Sequence, residues 1–399
     1  MNIPSEKYTE SGVRLLRTTD ISSGTLTPAE DGVFVSGCES DRFALEEGDL
    51  LLSRSGTPPG QSYLARREDR GLTFAGYLVR FRPANGVDPR FISYIARSAP
   101  FQHKILSESV ASTIQNFNAE RYANIEFRAP DHSEQVRISN FLDSETSRID
   151  RLTSMRVHQS QLLTDRLVSH LSSVYQQLCE NNGTVRLRHL LVRIEQGWSP
   201  QCESRPADEG EWGVIKAGCV NSGSFDPAEH KALPVGTAPR PEYALGEGDL
   251  LMSRASGSRD LIGSIGIVRG LERKLLLSDK IYRLTLDKKL GAPAFVSHML
   301  RSHAVREHIK MGVSGGEGMA NNLPTAVVKD CLLPKVNVTA QATIVKQLDQ
   351  GVAAEKRSHH ALQRSIRLLA EHRQALITAA VTGQFDVSTA SGRNVTDGV

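Results

Sequence analysis

Two arginines close the same word at two places in the chain. Residues 46–54 read Glu46-Glu47-Gly48-Asp49-Leu50-Leu51-Leu52-Ser53-Arg54, and residues 247–254 read Glu247-Gly248-Asp249-Leu250-Leu251-Met252-Ser253-Arg254. An arginine at the polar end of an apolar strand presents a planar fork of donors, suited to phosphate oxygens or to the acceptor edge of guanine. The competing role for Arg54 and Arg254 is a surface charge that closes the strand end. Asparagine and glutamine offer a second chemistry, because their amides match the adenine edge. They gather at equivalent places in two glycine- and amide-rich loops, 109–118 and 312–322, as Gln115-Asn116 and Asn321-Asn322. Contact with a base or phosphate competes there with loop capping by the amide side chains. Arg66-Arg67 and Lys280 add cations that suit phosphate or a solvated face. Tyr77 and Trp198 could stack on or wedge between bases, with a core or edge position the better expectation for Tyr77.

The residue patterns of catalysis are missing. There is no G-x-x-x-x-G-K-[ST] phosphate loop, no Asn-Pro-Pro-aromatic or Asp-Pro-Pro-aromatic word and no histidine pair at metal-ligand spacing. His359 and His360 are adjacent, and neighbours on a helix point in different directions, so a solvated surface is expected for them. Ser53 and Ser253 lie in no G-x-S-x-G elbow and have no nearby histidine to activate them. The Gly-Asp pairs at 48–49 and 248–249 read as tight structural turns.

Composition narrows the class. With 399 residues, 39% of them hydrophobic and 23% charged, the chain has the make-up of a globular protein of two or three domains. No apolar run approaches the roughly 20 residues of a membrane span. Nor does the first stretch, Met1-Asn2-Ile3-Pro4-Ser5-Glu6-Lys7, have the apolar centre of a signal peptide. Five scattered cysteines without a C-x-x-C pair point to reduced thiols in a cytoplasm. A net charge of +3 permits an anionic partner without demanding one.

The repeated word lies inside a repeat of about 200 residues, and each copy must build the elements that carry these side chains. Expected strands are 12–16, 62–65 and 74–81 in the first copy, and 262–268 and 281–286 in the second. The Leu-Leu-x-Ser-Arg strand belongs to both. An amphipathic helix follows in each, 89–106 and 293–310, with Phe91, Ile92, Ile95 and Ile105 matching Phe295, Val296, Met299 and Ile309. After the amide-rich loop a short strand ends at Pro130, and likewise at Pro334.

A long helix then begins in each copy. The first has capping-box spacing at Asp131–Glu134 and the second starts around Thr339. An offset of 206 aligns Ile138 with Ile344 and Asp143 with Asp349. Apolar positions recur at three, four and seven residues over about 46 and 41 residues, on the order of 60–70 Å, which is a coiled-coil signal. Gly351 allows a local kink. The second copy also has a prelude, 183–206, containing the strand-like 185–194. The first copy has no counterpart, so the chain is expected to begin inside its first module, through a misassigned start codon, a truncation or a module without an edge strand.

Two modules alternating with two long helices, each module marked by a G-D-[LI]-L-x-S word, resemble the specificity subunit of type I DNA restriction–modification systems. The best local matches are Pro130-x-x-x-Glu134-Gln135-x-x-Ile138 running into Phe141-Leu142-Asp143, and the ending Leu376-Ile377-Thr378-Ala379-Ala380-Val381-Thr382-Gly383-Gln384-Phe385-Asp386-Val387. The resemblance covers about residues 12–387. It departs from the pattern at the first module's opening, at Ala340 where a glutamate is expected before Gln341, and at the end of the first helix, which lacks the V-T-G word.

The resemblance implies an α+β chain in which two mixed α/β target-recognition domains alternate with two long helices that form an antiparallel coiled coil. Residues 1–130 are the first recognition domain, 131–180 the central helix, 181–334 the second domain, 335–387 the C-terminal helix and 388–399 a disordered tail. Each domain would read half of a bipartite double-stranded DNA site. Two methyltransferase subunits would dock on the helices, and restriction subunits would complete the nuclease. The chain itself would bind no cofactor, with S-adenosylmethionine, ATP and Mg on its partners. Inserting four residues in a long helix would add roughly 6 Å and lengthen the unread spacer of the site. Two other functions stay open: an orphan DNA-binding or scaffold protein, separable by its neighbouring genes, and a self-sufficient DNA-modifying enzyme, separable by methyl transfer from the purified chain.

Overall fold

The computed structural model describes residues 3–22, 24–36, 43–55, 59–110, 116–314 and 321–390. In chain order the first head contains β1 (Val13–Leu16), β2 (Ile21–Ser22), β3 (Thr25–Leu26), β4 (Val33–Val35), β5 (Leu50–Ser53), β6 (Ser62–Leu64), β7 (Thr73–Phe74) and β8 (Leu78–Phe81). Its helices are α1 (Pro89–Arg97), α2 (Ala99–Val110) and α3 (Ala119–Ala123). The long helix α4 (His132–Asn182) follows. The second head holds β9 (Thr184–Arg186), β10 (Leu191–Gln196), β11 (Trp212–Ile215), β12 (His230–Ala232), β13 (Leu250–Ser253), β14 (Ala255–Ser256), β15 (Ile265–Ile267), β16 (Lys274–Leu276) and β17 (Ile281–Leu286). It continues through α5 (Pro293–Leu300), α6 (His303–Gly312), β18 (Asn321–Asn322), α7 (Thr325–Asp330) and β19 (Leu332–Pro334). The second long helix is α8 (Val338–Val381), and a short α9 (Val387–Ala390) ends the described chain.

The two heads share one topology. In each, a small sheet sets a central strand antiparallel to one neighbour and parallel to the other: β4-β1-β7 in the first, β12-β11-β16 in the second. A second, antiparallel sheet is built on the repeated word, with order β6-β5-β8 in the first head and β15-β13-β17-β10 in the second. All four residues of β5 and of β13 are buried, as suits a central strand covered on both faces. The Gly-Asp turn sets their register. Gly48 and Gly248 adopt φ of 87° and 89°, a left-handed conformation that glycine enters without a Cβ clash. Asp49 and Asp249 each accept the amide three residues back at 2.9 Å.

Contacts divide the chain into two compact units, Met1–Val157 with Gln363–Val399, and His158–Leu362. Each unit joins a head to the start of the long helix that follows it and to the end of the other long helix. In the first unit, Ile138 and Leu142 of α4 share a core with Phe91, Ile105 and Phe117 and with Ile377, Ala380 and Val381 of α8. In the second, Leu348 of α8 shares a core with Phe295, Met299 and Ile309 and with Leu167 and Leu171 of α4. Helix contacts run antiparallel within the first unit, where Phe141 meets Phe385 and Asp150 pairs with Arg373 at 2.9 Å. In the second unit Ser160 hydrogen-bonds His359 at 2.8 Å. Both long helices begin on a side-chain cap: Asp131 accepts the Glu134 amide at 2.9 Å, and Asn337 accepts the Ala340 amide at 2.8 Å.

Several elements differ from the sequence expectation. The helices over 89–106 and 293–310 are each broken in two. Pro100 could not donate to the carbonyl four residues back in a continuous helix, so α1 stops at Arg97 and the proline falls in the first turn of α2. In the second head Ser302, extended at φ −62° and ψ 150°, makes the equivalent break. The expected strand 74–81 splits into β7 and β8, which belong to different sheets. Residues 126–129 form no strand before Pro130, although β19 forms before Pro334. Gly351 leaves α8 continuous. The strand-like 185–194 divides into β9 and β10 around a single 3-10 turn. Residues 388–390 of the expected tail 388–399 belong to helix α9, and 391–399 lie outside the described residues.

Candidate nucleic-acid interface

The end of β5 gathers three stretches that are far apart in sequence. The Arg54 amide donates to the Tyr77 carbonyl at 2.8 Å, and the Arg54 carbonyl accepts the Phe117 amide at 2.8 Å. The second head repeats the arrangement. The Arg254 amide donates to the Lys280 carbonyl at 2.8 Å, and the Arg254 carbonyl accepts the Leu323 amide at 2.9 Å. One residue in each head, through its own amide and carbonyl, therefore ties together the strand end, the turn before the next strand and the start of the chain after the amide-rich loop. This places Arg54, Tyr77 and Asn116 together in the first head, and Arg254, Lys280 and Asn321-Asn322 together in the second.

The guanidinium groups take part in that tie. Arg54 Nη1 donates to the Gly76 carbonyl at 3.3 Å, and Arg254 Nη1 donates to the Asp279 carbonyl at 3.1 Å. Arg254 also lies over the Tyr282 ring at 5.9 Å. Both arginines are half-buried. Their repetition is thus explained by the fold, since each holds the preceding turn against the strand end. Tyrosines brace the same spot: Tyr122 donates to the Ser53 carbonyl at 2.7 Å, and Tyr282 donates to the Leu323 carbonyl at 2.9 Å.

The exposed groups around this tie differ between heads. Tyr77 is 63% exposed at the tip of its turn, contrary to the core or edge position expected of a large aromatic. It lies in the turn closed by the Leu78 amide on the Ala75 carbonyl at 2.9 Å. Lys280 takes the equivalent place and is also exposed, 4.0 Å from Asp279. Asn116 is exposed. Asn321 and Asn322 form β18, paired with Ser256 and Ala255, and Asn322 exchanges backbone hydrogen bonds with Ser314 at 2.8 and 2.9 Å. Gln115 lies outside the described residues. Arg66 is not brought to this cluster. It follows β6 beside Asp49, at the opposite end of β5, where its amide donates to Asp69 at 2.8 Å and its side chain sits 3.6 Å from Glu68. Trp198 is held in the second head, with its amide on Leu277 and Arg240 stacked 4.4 Å over its ring.

Two cations near the clusters were not singled out from the sequence. Arg121, in α3, is exposed and lies 5.8 Å over Phe117, the residue whose amide reaches Arg54. Arg259 is exposed just beyond β14, the strand that pairs with β18. The signal for Arg121 was available, since it follows Asn118, whose side chain caps α3 by accepting the Arg121 amide at 2.9 Å. Among the described residues, no three histidine, cysteine, aspartate or glutamate side chains are placed to hold a metal ion. No described helix is long and apolar enough to cross a membrane. The first head thus presents amide, aromatic and cationic side chains at the end of a buried strand and the second presents amide and cationic ones, surfaces suited to the edges and phosphates of nucleic acid.

Comparison with known proteins agrees with this geometry. Residues 39–156 match the family model described as the type I restriction modification DNA specificity domain. The chain is 32% identical over 131 residues to the EcoEI specificity subunit of Escherichia coli, an alignment covering 33% of this chain and 22% of that protein. It is 25% identical over 400 residues to the EcoKI specificity subunit of Escherichia coli strain K12, covering 93% of this chain and 82% of that one. A solved chain from a study of complex assembly and conformational transition of the type I R-M system has the same fold, with a TM-score of 0.65 at 15% identity over 94% of this chain and 92% of that one. With its internal repeat and its two equivalent polar tips, the chain is similar over most of its length to the specificity subunits of type I DNA restriction–modification systems.

Proposed function

We propose that this chain selects the DNA target of a type I restriction–modification complex, each head reading one half of a bipartite site. The observation that carries the reading is the same tie built twice, Arg54 to residues 77 and 117 and Arg254 to residues 280 and 323, each displaying a different set of exposed side chains. A common frame with variable tips is what two readers of two different half-sites require. Base edges are distinguished by which amides and cations are presented, while the frame fixes where they stand. The candidates are the exposed Asn116 and Tyr77 in the first head, and the exposed Lys280 with the half-buried Asn321 and Asn322 in the second. Gln115 and Arg66 stay in the proposal as contacts outside the observed cluster. Arg54 and Arg254 act on DNA chiefly through the loops they hold.

In this reading the chain is a non-catalytic reader. The antiparallel contacts of α4 and α8 support a coiled coil, on which two methyltransferase subunits dock, with restriction subunits joining them. S-adenosylmethionine, ATP and Mg belong to those partners. The test is genome-wide mapping of methylated bases in a strain with and without the gene, followed by complementation with a chain whose first head is exchanged for that of another family member. Loss of one two-part motif on deletion, and replacement of only one half of it on exchange, is the expected result. Unchanged methylation after deletion overturns the proposal.

A further inference from the structure

A cavity of about 780 Å³ opens within the second unit, inside the size range of small-molecule sites. Arg301 at the end of α5, Arg306 of α6 and Lys356 of α8 line it, beside Ser222, Ser224 and Ser264. Lys310 lines it as well, but Asp260 holds that ammonium at 2.9 Å and Glu307 at 3.5 Å.

The other cations are under-compensated. Among the described residues neither the Arg301 guanidinium nor the Lys356 ammonium makes a hydrogen bond or an ion pair, and Glu355 is the carboxylate that opposes their charge. Arg301 lies against the bare face of Gly223, where a Cβ would stand 2.9 Å from Cζ. Burial pushes the pKa of Arg301 below its ordinary value. Burial does the same to Lys356, helped by the positive charges of Arg301 and Arg269. Arg306 donates from Nη2 to the Asp260 carbonyl at 2.7 Å, and its buried Nη1 has no partner in the structure.

The first unit has the same pieces and satisfies them internally. Gly24 is the counterpart of Gly223, and a Cβ on it would stand 3.3 Å from Nη1 of Arg97, the counterpart of Arg301. Arg97 is occupied: its Nε donates to the Ser93 carbonyl at 3.2 Å, and its guanidinium lies 4.5 Å over the Tyr94 ring. In the second head His298 replaces that tyrosine and bonds Asp349 at 2.8 Å. At the offset of 206, Lys356 stands where the first long helix has Asp150, which pairs with Arg373 at 2.9 Å. The counterpart of Arg373 is Leu167. An ion pair in the first unit has thus become a lone cation in the second.

We propose that this cavity binds a small molecule through a dianionic phosphoryl group, held between Arg301 and Lys356, with Arg306 beside it. Arginine supplies a planar fork of donors and lysine a compact charge, and both bind phosphate oxygens through charge-assisted hydrogen bonds. A carboxylate or a DNA diester would bring one negative charge to these cations, whereas a phosphate monoester brings about 1.5 to 2 at neutral pH. Arg301 and Lys356 are half-buried, within reach of a terminal group that enters the cavity. Inorganic phosphate and an organic monoester share this chemistry, and the cavity has room for the organic part. None of Arg254, Lys280, Asn321 and Asn322 lines it, so the proposal does not rest on the DNA-reading role.

The direct test is a phosphorus NMR titration of the full chain with inorganic phosphate, methyl phosphate and dimethyl phosphate, at a pH above about 7 where the monoester is dianionic. Saturable binding of methyl phosphate or inorganic phosphate, about tenfold or more tighter than dimethyl phosphate, is the expected result, and the tighter of the two names the source of the phosphoryl group. Lys356→Asp, which installs the residue of the first copy, and Arg301→Gln should each weaken binding about tenfold, as loss of a charge-assisted bond does. Lys288→Ala, outside the cavity, should leave it unchanged. If Lys356→Asp does not fold, Lys356→Gln reads the same contact. No saturable binding, equal binding of the diester, indifference to the Arg301 and Lys356 variants, or displacement of the bound phosphate by duplex DNA overturns the proposal.

Discussion

The hydroxyl of Thr378 accepts a hydrogen bond from the Ala99 amide at 3.0 Å. Its counterpart at the offset of 206 is Ser172, which accepts the His303 amide at 2.9 Å. Each head thus has a helix whose first amide is satisfied by the long helix of the other repeat. A helix N-terminus leaves its first amides without intrahelical partners, and a hydroxyl placed there relieves one of them. Thr378→Val should cost about 1 kcal/mol and speed exchange in α2, and Ser172→Ala should do the same in α6. Segment-resolved hydrogen exchange separates the two effects. Equal loosening of both heads by either substitution would contradict the crossed arrangement.

Gln135 and Gln341 join each long helix to its own head. Gln135 accepts the Asp88 amide at 3.0 Å and donates to the Pro130 carbonyl at 2.8 Å. Gln341 accepts the Ala292 amide at 2.8 Å and donates to the carbonyls of Leu290 and Val336 at 3.0 and 2.8 Å. Both are buried, at 4% and 1% exposure, so a leucine would leave backbone groups without partners inside the protein. We expect Gln341→Leu to destabilise by about 2–3 kcal/mol in urea unfolding and Gln135→Leu by about 1–3 kcal/mol. The glutamate that precedes Gln135 is exchanged for Ala340 in the second copy without loss of either frame, since the glutamine makes the bonds.

The sequence made the repeat, the Gly-Asp turns and the two long helices legible because each rests on local rules. Gly48 needs a positive φ, and an unbroken apolar seam needs a helix. What it concealed is the identity of partners. Leu171 and Leu348 have the period of a helix face, but period alone does not say that the end of α4 covers the second head and the end of α8 the first. The candidate cluster was legible residue by residue and not as a cluster, since Arg54, Tyr77 and Asn116 meet only through backbone hydrogen bonds. Arg54 drew attention by repetition, which reflected its hold on the Gly76 carbonyl. Pro100 did carry the signal for the break between α1 and α2.

His298 predicts a pH dependence of the second unit. It occupies the place of Tyr94, and each bonds the aspartate at the equivalent point of the adjoining helix, Asp349 at 2.8 Å and Asp143 at 2.7 Å. Burial pushes the His298 pKa below its ordinary 6.5, aided by Arg301 and Arg269 and opposed by Asp349. Its buried Nδ1 also has no hydrogen-bond partner in the structure, so an added proton would find no acceptor. Between the folded and unfolded pKa values the unfolded chain binds the extra proton. Stability from this group is therefore complete above about pH 6.5 and falls as pH drops through the folded pKa. Urea unfolding of the chain between about pH 7.5 and 5 should show this decline, and His298→Gln should flatten it. A steeper decline in the variant would place the titration elsewhere.

The exposed tips make separable predictions about DNA. Lys280 offers a point charge, so Lys280→Ala should weaken binding to all sequences by a similar factor and reduce the salt slope by about one. Asn116 offers a two-sided amide, so Asn116→Ala should lose about 1–3 kcal/mol only on DNA carrying the half-site of the first head, leaving the other half-site unaffected. Arg254→Leu should behave differently again. Removing the bond to Asp279 frees the turn that carries Lys280, so affinity should fall together with faster exchange at residues 278–281. The assay is DNA binding by the assembled complex at several salt concentrations, with targets altered in one half at a time. If Asn116→Ala and Lys280→Ala both act uniformly on every target, the tips supply charge and the reading of bases lies in other loops of the heads.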